Sequence, residues 1–578
     1  MTVDDAGTAP ASYPTHQVLN QPPPRVDINE FTANIPLTDY LVIIGEAGAG
    51  ATEELERAGA VVGSAQFQED ARLAHKCPPV LHTHSKYGHR IDEVEYHPSY
   101  HRIVGQAVAA GAHTSAWAEP GPGANARRSA AFMLLAQVEP GHACPISMSH
   151  AAVEPLRLNP ELAGEWLPRL YSREYSPELA TGKSGALFGM AMTEKQGGSD
   201  VRANTTRAVP FEDHHLLTGH KWFCSAPMSD AFLVLAQDDA GLGCFLVPRL
   251  IPGGVSTGST TGTGSTDGAG STAGAGPATG ERNPFLIQRL KDKAGNRSNA
   301  SGEVEFANTH GWRIGEPGRG VRAIMGMVAQ TRLDCVLGTA AGMRQSVAEA
   351  AWHARHRRAF GARLVDQQAM ANVLADLALE SEAATAVGMR LSRAFDDDAG
   401  PSERAFRRLA TAVSKYWVCK RGPNHAYEAM ECLGGNGYIE DFPLAMRYRE
   451  QPVMAIWEGA GNVVVLDVLR AMGTEPDSVD AFFAELREAS GADELFDAFI
   501  AGLKEAVSPV RAAPADFAGS ARTLVEKMAL ALQASLLIRY APPAVADAFV
   551  VSRLGPDRCF NYGNLPASSD FAAILARA

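Results

Sequence analysis

The chain has 578 residues, and at about 150 residues per domain this length predicts three to four domains. Hydrophobic residues make up 46% of the chain and charged residues 20%, which is typical of a folded globular protein and excludes wholesale disorder. The 52 Lys and Arg against 65 Asp and Glu give a net charge of −13, so a protein that coats nucleic acid with its whole surface is excluded. A local basic patch stays open.

The sequence shows no signal for a membrane or for export. No apolar run reaches the roughly 18 residues that a membrane helix needs. The first residues, MTVDDAGTAPASYPTHQ, lack the basic start and the apolar core of a secretory signal. The eight cysteines are scattered without a CxxC pair, which indicates reduced thiols. We therefore expect a cytoplasmic protein without a disulfide framework, a zinc site or a membrane contact.

The first half of the chain divides into two predicted domains. Residues 1–185 combine a Pro-rich arm, over about the first 40 residues, with alanine-rich stretches whose apolar spacing predicts helices. Residues 186–315 carry short apolar or alternating segments between Gly, Asp and Asn, which predicts a β domain. Within it, the Gly, Ser, Thr and Ala-rich tract at 253–280 cannot bury a core, so we predict a flexible loop between two strands.

The second half is predicted to be helical throughout. Residues 316–472 contain three long helical patterns and a fourth helix after Glu458, and four long helices with short links predict a bundle. Residues 473–578 add a further helical domain. That last domain holds 9 Lys and Arg against 14 Asp and Glu, a net charge of −5. The fold class is therefore mostly α with a β domain in the middle.

Two segments of the β domain suit a cofactor. Residues 192–201 follow an apolar strand and contain a Gly pair, and backbone N–H groups in such a turn, with the hydroxyls of Thr193 and Ser199, suit a phosphate or the edge of a flavin. In the strand at 219–225, Trp222 suits stacking on a planar cofactor. An ordinary β-turn and a core Trp are the structural alternatives, and for an isolated motif they are the more common ones.

A third segment, residues 456–462, carries a candidate catalytic carboxylate. Glu458 lies between Trp457 and a helix start that contains the small residues Gly459, Ala460 and Gly461. An apolar neighbourhood would desolvate Glu458 and raise its pKa towards that of a useful base. The structural alternative is a Glu in a first helical turn that complements the helix dipole.

Two further segments suit the phosphate end of a nucleotide. Arg357 begins the pattern Arg-Arg-Ala-Phe-Gly, which Gln368 follows, and an Arg there suits pairing with a pyrophosphate. Gly434 and Gly435 lie in the glycine-rich helix end at 431–438, where a ligand can approach the backbone closely. A surface cation and a plain helix C-cap are the alternatives.

In this order, the five segments resemble the acyl-CoA dehydrogenase family of flavoproteins. Residues 144–149, 192–201, 289–301 and 456–459 are similar to its AidB branch, flavoproteins of the adaptive response to DNA alkylation. The resemblance runs from about Thr15 into the C-terminal helices. It implies a mostly α fold with a helical N-terminal domain, a middle β-barrel and a C-terminal four-helix bundle, followed here by the extra helical domain.

The resemblance implies FAD as the cofactor, held at subunit interfaces of a homotetramer. Arg357, Phe360 and Gln368 would reach the FAD of a neighbouring subunit. Two positions depart from many relatives, which have Thr at Cys224 and Gln at Glu431. The residues implied as FAD contacts are Met192, Thr193, Ser199, Trp222, Phe223, Cys224, Ser225, Arg357, Phe360, Gln368, Gly434, Gly435, Ile456, Trp457, Gly459, Gly461 and Asn462.

Glu458 matches the catalytic base of the family. The resemblance implies that its carboxylate takes the α-proton of an acyl-CoA while the β-hydride moves to FAD, and that its backbone N–H stabilises the developing enolate. Some relatives place the base on an earlier helix, but the middle residue of Gln330-Thr331-Arg332 is not a carboxylate. We expect dehydrogenation of a short or branched acyl-CoA such as isovaleryl-CoA.

A DNA-binding protective flavoprotein with little dehydrogenase activity is the main alternative. AidB relatives bind duplex DNA through the extra C-terminal domain, and a patch of cations there would bind without sequence specificity and with strong dependence on salt. The net negative charge of this domain is a departure from that pattern. The cations that could form the patch are Arg470, Arg511, Arg522, Lys527, Arg539, Arg553 and Arg558.

Two other interpretations have less support. A scaffold without bound flavin is disfavoured by the full set of flavin segments. A metal site is disfavoured because the histidines between residues 82 and 101 have no accompanying carboxylate or Cys framework. These histidines are His82, His84, His89, His97 and His101.

Overall fold

The computed structural model describes residues 17–44, 49–251 and 280–578. The first 16 residues of the predicted arm lie outside the described residues. The same is true of the predicted loop at 253–280, of which only Gly280 is described. The two strands that flank this tract, β8 and β9 below, pair with each other at Leu250 and Arg282.

The described part of the N-terminal region is mainly helical, in agreement with the sequence pattern. Polar side chains begin three of its helices: Asn34, Ser64 and Asn159 each accept a hydrogen bond from the backbone N–H three residues on. The helices are α1 (Ile35–Ile43), α2 (Ala49–Gly63), α3 (Ala65–Lys76), α4 (Pro98–Ala109), α5 (Ser115–Ala118), α6 (Ala124–Val138), α7 (Ala143–Leu156) and α8 (Pro160–Tyr171). Helices α6 and α7 are almost wholly buried.

The structure adds a two-stranded antiparallel sheet that the sequence analysis did not anticipate in this region. Its strands are β1 (Val80–His84) and β2 (Arg90–Glu95). The sheet is tied to the middle domain, because Asp92 accepts a hydrogen bond from the backbone N–H of Ile287 at 2.8 Å and Arg90 donates to the Ile287 carbonyl at 3.3 Å. Its partner lies almost 200 residues away in the sequence, so local spacing did not reveal it.

The middle domain is a closed β-barrel. Strand β11 pairs with β5, and the ring continues through β4, β6 and β7 back to β11, while β10 and β3 extend it at the side. The strands are β3 (Phe188–Ala191), β4 (Arg207–Phe211), β5 (His214–Ser225), β6 (Ala231–Asp238), β7 (Gly241–Pro248), β8 (Leu250–Ile251), β9 (Glu281–Arg282), β10 (Phe285–Leu290) and β11 (Ser301–Ile314). Strands β6 and β7 are nearly continuous apolar runs, because they are buried on both faces.

The rest of the chain is a helical bundle with further helices packed on it. Long helices α9, α10, α11 and α14 form the bundle. A short hairpin, β12 (Arg358–Ala359) and β13 (Ala362–Arg363), follows α9. The helices are α9 (Gly320–His356), α10 (Gln368–Arg393), α11 (Pro401–Cys432), α12 (Gly435–Tyr438), α13 (Leu444–Met454), α14 (Gly461–Thr474), α15 (Pro476–Arg487), α16 (Glu494–Ala512), α17 (Ala521–Tyr540), α18 (Pro543–Phe549) and α19 (Phe571–Leu575).

The C-terminal helices share one hydrophobic core with the bundle. Helices α15 and α17 pack on α11, and α17 and α19 pack on α10. A half-buried ion-pair network reinforces this contact, since Arg390 of α10 pairs with Glu403 at 2.8 Å and with Glu485 of α15 at 2.7 Å. Within the described ranges, none of these helices combines the length and the apolar composition that crossing a membrane would need.

Candidate active site

Glu458 lies in the turn between α13 and α14, and cations of the bundle hold its backbone. Its φ angle is +57°, in the left-handed region that residues with a Cβ rarely adopt. Lys415 Nζ donates to the carbonyl oxygens of Trp457 and Gly459 at 2.9 and 2.6 Å. Arg332 Nε donates to the carbonyl oxygen of Glu458 at 3.1 Å. Three successive carbonyls are therefore fixed by α9 and α11, which sets the position of the Glu458 carboxyl.

The Glu458 carboxyl has few donors around it. Among the described residues, the hydroxyl of Thr331 donates the hydrogen bond that it accepts, at 2.7 Å. Burial raises the pKa of the Glu458 carboxyl above its ordinary value, and the Thr331 hydrogen bond with the charges of Arg332 and Lys415 offsets only part of that effect. A half-buried carboxylate with a raised pKa is suited to accept a proton near neutral pH.

Asp334, on helix α9 three residues after Thr331, is a carboxylate that is already engaged in an ion pair. Asp334 is buried and pairs with the buried guanidinium of Arg128, whose Nη2 lies 2.9 Å from its Oδ2. Arg128 belongs to α6, so this pair joins the N-terminal helices to the bundle. Asp334 therefore has an ion-pair partner, whereas the Glu458 carboxyl has none among the described residues.

A cavity of about 670 Å³ opens beside the Glu458 turn. Arg332, which holds the Glu458 carbonyl, lines this cavity together with Arg404, Arg407 and Arg408. Thr411 lines it too, and its buried hydroxyl has no hydrogen-bond partner among the described residues. Arg332 and Arg408 pair with Asp467, and Glu475 and Asp477 also line the cavity. Arg404, Arg407 and the Thr411 hydroxyl are therefore the donors that suit an anionic ligand.

Trp457 connects the Glu458 turn to the barrel side of the site. Its ring packs against Cys144, Met148 and Ala226 on one side and against a cluster of α9 and α11 residues on the other. Its indole Nε1 is buried without a hydrogen-bond partner among the described residues. Burial raises the pKa of the Cys144 thiol to about 11, and the negative charge of Glu458 adds to that effect.

The loop at 192–201 is organised by a buried carboxylate that the sequence analysis did not select. Glu194 is fully buried and pairs with the buried Lys221 at 2.8 Å. Its other donors are the side chain of Gln196, the backbone and hydroxyl of Thr205, and the backbone of Thr206. Burial alone would raise the pKa of the Glu194 carboxyl, but these hydrogen bonds outweigh it and hold the pKa well below its ordinary value.

This loop brings its predicted residues next to the strand that carries Trp222. The Thr193 carbonyl accepts a hydrogen bond from the Trp222 N–H at 2.8 Å. Met192 is half-buried, and its carbonyl accepts from Asn204 at 2.9 Å, whereas Ser199 is exposed at the loop tip. Met192, Thr193 and Trp222 therefore lie close together in the structure.

The three residues after Trp222 at the end of strand β5 differ in their surroundings. Lys291 Nζ lies 3.2 Å from the Trp222 ring centre, and Phe223 is half exposed. The Cys224 thiol is buried in the barrel core, so a cofactor contact at this point would fall to its backbone or to Ser225. The Ser225 hydroxyl is half-buried and lies 3.3 Å from that of Ser301.

A second group of predicted residues lies around the N-terminal arm. Arg357 donates to the carbonyl of Asn20 at 2.5 Å, and Asn436, next to the Gly434–Gly435 pair, donates to Gln21 at 3.3 Å. Phe360, at the tip of the β12–β13 hairpin, is 99% exposed. Within the described chain, no hydrogen bond or ion pair joins this group to the Glu458 group. The second group comprises Arg357, Phe360, Gln368, Gly434 and Gly435.

The start of α14 completes the Glu458 group. Asn462 is exposed, and its side-chain oxygen accepts two hydrogen bonds from Arg522 of α17, at 2.9 and 2.6 Å. Lys420 Nζ lies 3.2 Å from the point that a Cβ on Gly461 would occupy. Ile456 is 63% exposed. A helix N-terminus with Lys420 and Arg522 beside it favours a negative charge.

These features fit FAD. The unpartnered Trp457 Nε1, the Ser225 hydroxyl and the half-buried Trp222 ring offer donors and an aromatic face for a flavin ring. The α14 start offers positive charge for a pyrophosphate. At Gly434 and Gly435 the space around an added Cβ is open, so the backbone is accessible to a ligand. The residues that would hold the cofactor are thus present in two groups.

The cations predicted for DNA are mostly engaged with carboxylates of the chain. Arg470 pairs with Asp467, Arg511 with Asp480, Arg539 with Glu485, Arg553 with Asp376 and Arg558 with Glu526. Arg522 contacts Asn462, and Lys527 is exposed. Pairing reduces the positive field that such a patch would present to a phosphate backbone.

The histidines between residues 82 and 101 take part in separate local contacts. His82 bonds Glu95, His97 begins α4 and His101 bonds the hydroxyl of Tyr175. In the part of the chain that the structure describes, no three His, Cys, Asp or Glu side chains are placed to hold a metal ion.

Three family models match successive parts of the chain. Residues 20–177 match the N-terminal domain of the adaptive response protein AidB, residues 189–273 the middle domain of acyl-CoA dehydrogenases and residues 318–473 their C-terminal domain. The chain is 40% identical over 543 residues to a protein of Escherichia coli (strain K12) named "Putative acyl-CoA dehydrogenase AidB", covering 93% of this chain and 94% of that one.

Solved structures show the same fold. ACDH-11 of Caenorhabditis elegans, in complex with C11-CoA, superposes with a TM-score of 0.80 at 23% identity, covering 93% of this chain and 92% of that one. The apo form of Bd2924 superposes with a TM-score of 0.78 at 24% identity, covering 90% and 99%. Because each covers at least nine-tenths of this chain, both alignments extend into the C-terminal helical domain.

Proposed function

This chain belongs to the acyl-CoA dehydrogenase family of FAD-dependent oxidoreductases, in its AidB branch, and we propose that it dehydrogenates a short or branched acyl-CoA such as isovaleryl-CoA. The observation that carries the proposal is the state of the Glu458 carboxyl. Its backbone is held in place, the hydroxyl of Thr331 donates a hydrogen bond to it, and burial raises its pKa. Its carboxylate takes the α-proton of the acyl group. When bound, FAD supplies the acceptor for the β-hydride, and the product is a trans-2-enoyl-CoA.

The cation-lined cavity beside Glu458 supports CoA as the carrier of the acyl group. Arg404, Arg407 and the open Thr411 hydroxyl suit the phosphates of CoA. We expect Arg407→Gln to raise the KM for isovaleryl-CoA at least tenfold and to leave the KM for isovaleryl-pantetheine, which lacks the nucleotide, within twofold. Equal effects on both thioesters would place the CoA phosphates elsewhere.

The second group of residues supports a homotetramer. Arg357 binds the arm at Asn20, and Asn436, close to Gly434, binds it at Gln21. Among the described residues, no hydrogen bond joins them to the residues around Trp457. The fully exposed Phe360 is an apolar side chain that an adjacent subunit would cover. We expect Phe360→Asp to lower the oligomeric state in sedimentation and to release FAD on dilution. A tetramer that keeps FAD would contradict this assignment.

The first experiment is an anaerobic titration of the purified protein with a panel of acyl-CoAs, followed by flavin absorbance. Bleaching by isovaleryl-CoA or another short thioester, lost in Glu458→Gln, supports the dehydrogenase function and identifies the acyl chain. A flavin that stays oxidised with every thioester contradicts it. A protein that does not take up added FAD contradicts the cofactor site as well.

The alternative function in DNA protection is supported by the AidB resemblance and by the exposed Lys527 and Arg522 on α17. If it holds, a duplex of arbitrary sequence binds the protein, and binding weakens steeply as salt rises. Lys527→Glu should then weaken binding measurably, whereas Lys86→Glu, on an exposed N-terminal turn, should not. Absence of binding at about 50 mM salt, where phosphate contacts are strong, contradicts this function.

The cytoplasm is the compartment that we propose for this activity. All eight cysteines are free thiols, and seven of them are buried or half-buried. Free thiols persist in a reducing compartment. We expect all eight cysteines to be thiols in protein purified without added reductant. Alkylation followed by mass spectrometry counts the free thiols.

A further inference from the structure

A cleft of about 800 Å³ lies away from the Glu458 turn. One wall is the proline segment at 22–24 with helix α3, and the opposite wall is formed by Trp352, Phe442 and Met446. The arm is fixed against this wall, since the Trp352 indole N–H donates to the carbonyl of Pro23 at 2.8 Å. The lining combines these apolar side chains with about as many charged and polar ones, and we call this space the arm cleft.

The arm cleft has a buried cation with open donors in its lining. Arg447 is 2% exposed, and its Nη2 donates to the carbonyl of Val138. Its Nε and Nη1 are buried, and neither has a hydrogen-bond partner among the described residues. Burial lowers the pKa of the Arg447 guanidinium to about 10, so it remains a cation at neutral pH. A buried cation with two unsatisfied donors is costly unless an acceptor reaches it.

The carboxylates nearest to Arg447 are each bound to other donors. They are Glu30 with Arg25, Glu139 with His142 and Ser298, Glu349 with Gln345, and Glu450 with the backbone of Asn296. Glu349 lines the cleft, and burial raises the pKa of its carboxyl, which favours the uncharged form. Glu69, Glu440 and Asp441 also line the cleft, where Glu69 pairs with Arg72 and Glu440 with Arg449. An anion that enters the cleft therefore meets the Arg447 guanidinium and reduced repulsion from Glu349.

We propose that the arm cleft binds a small amphiphilic carboxylate, with its carboxylate on Arg447 and its apolar body against Trp352, Phe442 and Met446. The volume is that of a ligand site for a molecule of moderate size. The open Nε–H and Nη1–H give the head group charge-assisted hydrogen bonds, and the proline wall adds apolar contacts for the rest of the ligand. This site is separate from the acyl-CoA site and does not depend on the proposed dehydrogenase function.

Calorimetry of the FAD-loaded protein with decanoate tests the proposal, with 1-decanol as the matched ligand that lacks the carboxylate. We expect one decanoate per chain and at least tenfold weaker binding of 1-decanol. Saturating isovaleryl-CoA should leave decanoate binding unchanged. Displacement of decanoate by isovaleryl-CoA, or equal affinity for 1-decanol, would overturn the proposal.

Two variants locate the site. Arg447→Gln removes the charge, and Ala65→Trp fills the cleft from an exposed position in the first turn of α3. Each should weaken decanoate binding at least tenfold. Ala60→Trp is the matched control, because Ala60 is an exposed helical alanine on α2 that does not line the cleft, and it should bind decanoate like the parent. If Arg447→Gln does not fold, Ala65→Trp decides alone, and unchanged binding in that variant rejects the site.

Discussion

Glu194 and Glu458 are two carboxylates of the same site region with opposite surroundings. Glu194 accepts five hydrogen bonds, one of them from the ammonium of Lys221, and its pKa is held well below the ordinary value. Glu458 accepts one side-chain hydrogen bond, from Thr331, and burial raises its pKa. The cations near Glu458 bind the backbone carbonyls of its turn instead of its carboxylate.

The difference shows how one chain makes a carboxylate either structural or reactive. Donors aimed at the oxygens of Glu194 stabilise its charged form, and they hold the loop that carries Thr193 in place. Donors aimed at the backbone of Glu458 fix the position of the group without neutralising it, so the carboxylate stays available for a proton. Four changes test this contrast.

Glu458→Gln removes the proton acceptor and keeps the shape of the turn. We expect kcat for isovaleryl-CoA to fall by about 10⁴, because a positioned general base contributes up to that factor. FAD binding and thermal stability should stay near those of the parent. Glu161→Gln, an exposed Glu in the first turn of α8, is the matched control and should be fully active. A loss below tenfold would assign the base elsewhere.

Glu194→Gln breaks a buried ion pair and leaves Lys221 charged and unpaired. We expect unfolding to become easier by about 3 kcal/mol in urea denaturation. Because the folded pKa of Glu194 is lowered, its stabilisation is complete above the ordinary carboxyl pKa and is lost only as pH falls towards the lowered one. Lys221→Met with Glu194→Leu should recover part of the loss. Chains that retain FAD should turn over at the parent rate, because the base is intact.

Lys415→Met releases the carbonyls of Trp457 and Gly459. The Glu458 carboxyl should then lose its fixed position, and a misplacement of about 1 Å costs roughly 10²-fold in rate. We expect kcat to fall by that order with little change in the KM for isovaleryl-CoA. Lys504→Met, at an exposed position of α16, is the control for lost charge alone. Equal kinetics in both variants would refute the positioning role.

Thr331→Val removes the hydrogen bond to the Glu458 carboxylate and keeps the side-chain volume. The hydroxyl stabilises the charged form, so its loss raises the pKa of Glu458 further. The acidic limb of kcat/KM, where the base becomes protonated as pH falls, should move to higher pH. At pH 8 or above the rates should agree within a few-fold. An unchanged limb would show that another group controls it.

The sequence predicted the secondary-structure classes of this fold well, because they rest on local spacing. The long helices α9, α10 and α11 carry apolar residues every three or four positions, and the barrel strands are short apolar runs. The hairpin β1–β2 was missed, since its stability comes from contacts with Ile287 in the barrel. Such a contact between distant segments leaves no periodic signal.

The sequence motifs select candidate site residues, but they do not reveal which side chains hold those residues in place. Glu458 and Trp222 stand out because of their neighbours in sequence. Glu194 stood inside a predicted segment, but its importance depends on Lys221, 27 residues further on. The contact of Arg522 with Asn462 joins two helices 60 residues apart. The partner of a buried charge is set by the fold, so single-sequence reasoning selects the charge and misses the partner.

The left-handed backbone of Glu458 has a consequence for engineering this protein. Glycine adopts a φ of +57° without the penalty of about 1 kcal/mol that a residue with a Cβ bears there, and it also removes a desolvated carboxyl. A library selected only for thermostability should therefore enrich Glu458→Gly and Glu458→Asn. The most stable variants would then lack catalytic activity. Any thermostability campaign on this chain has to screen for turnover in the same round.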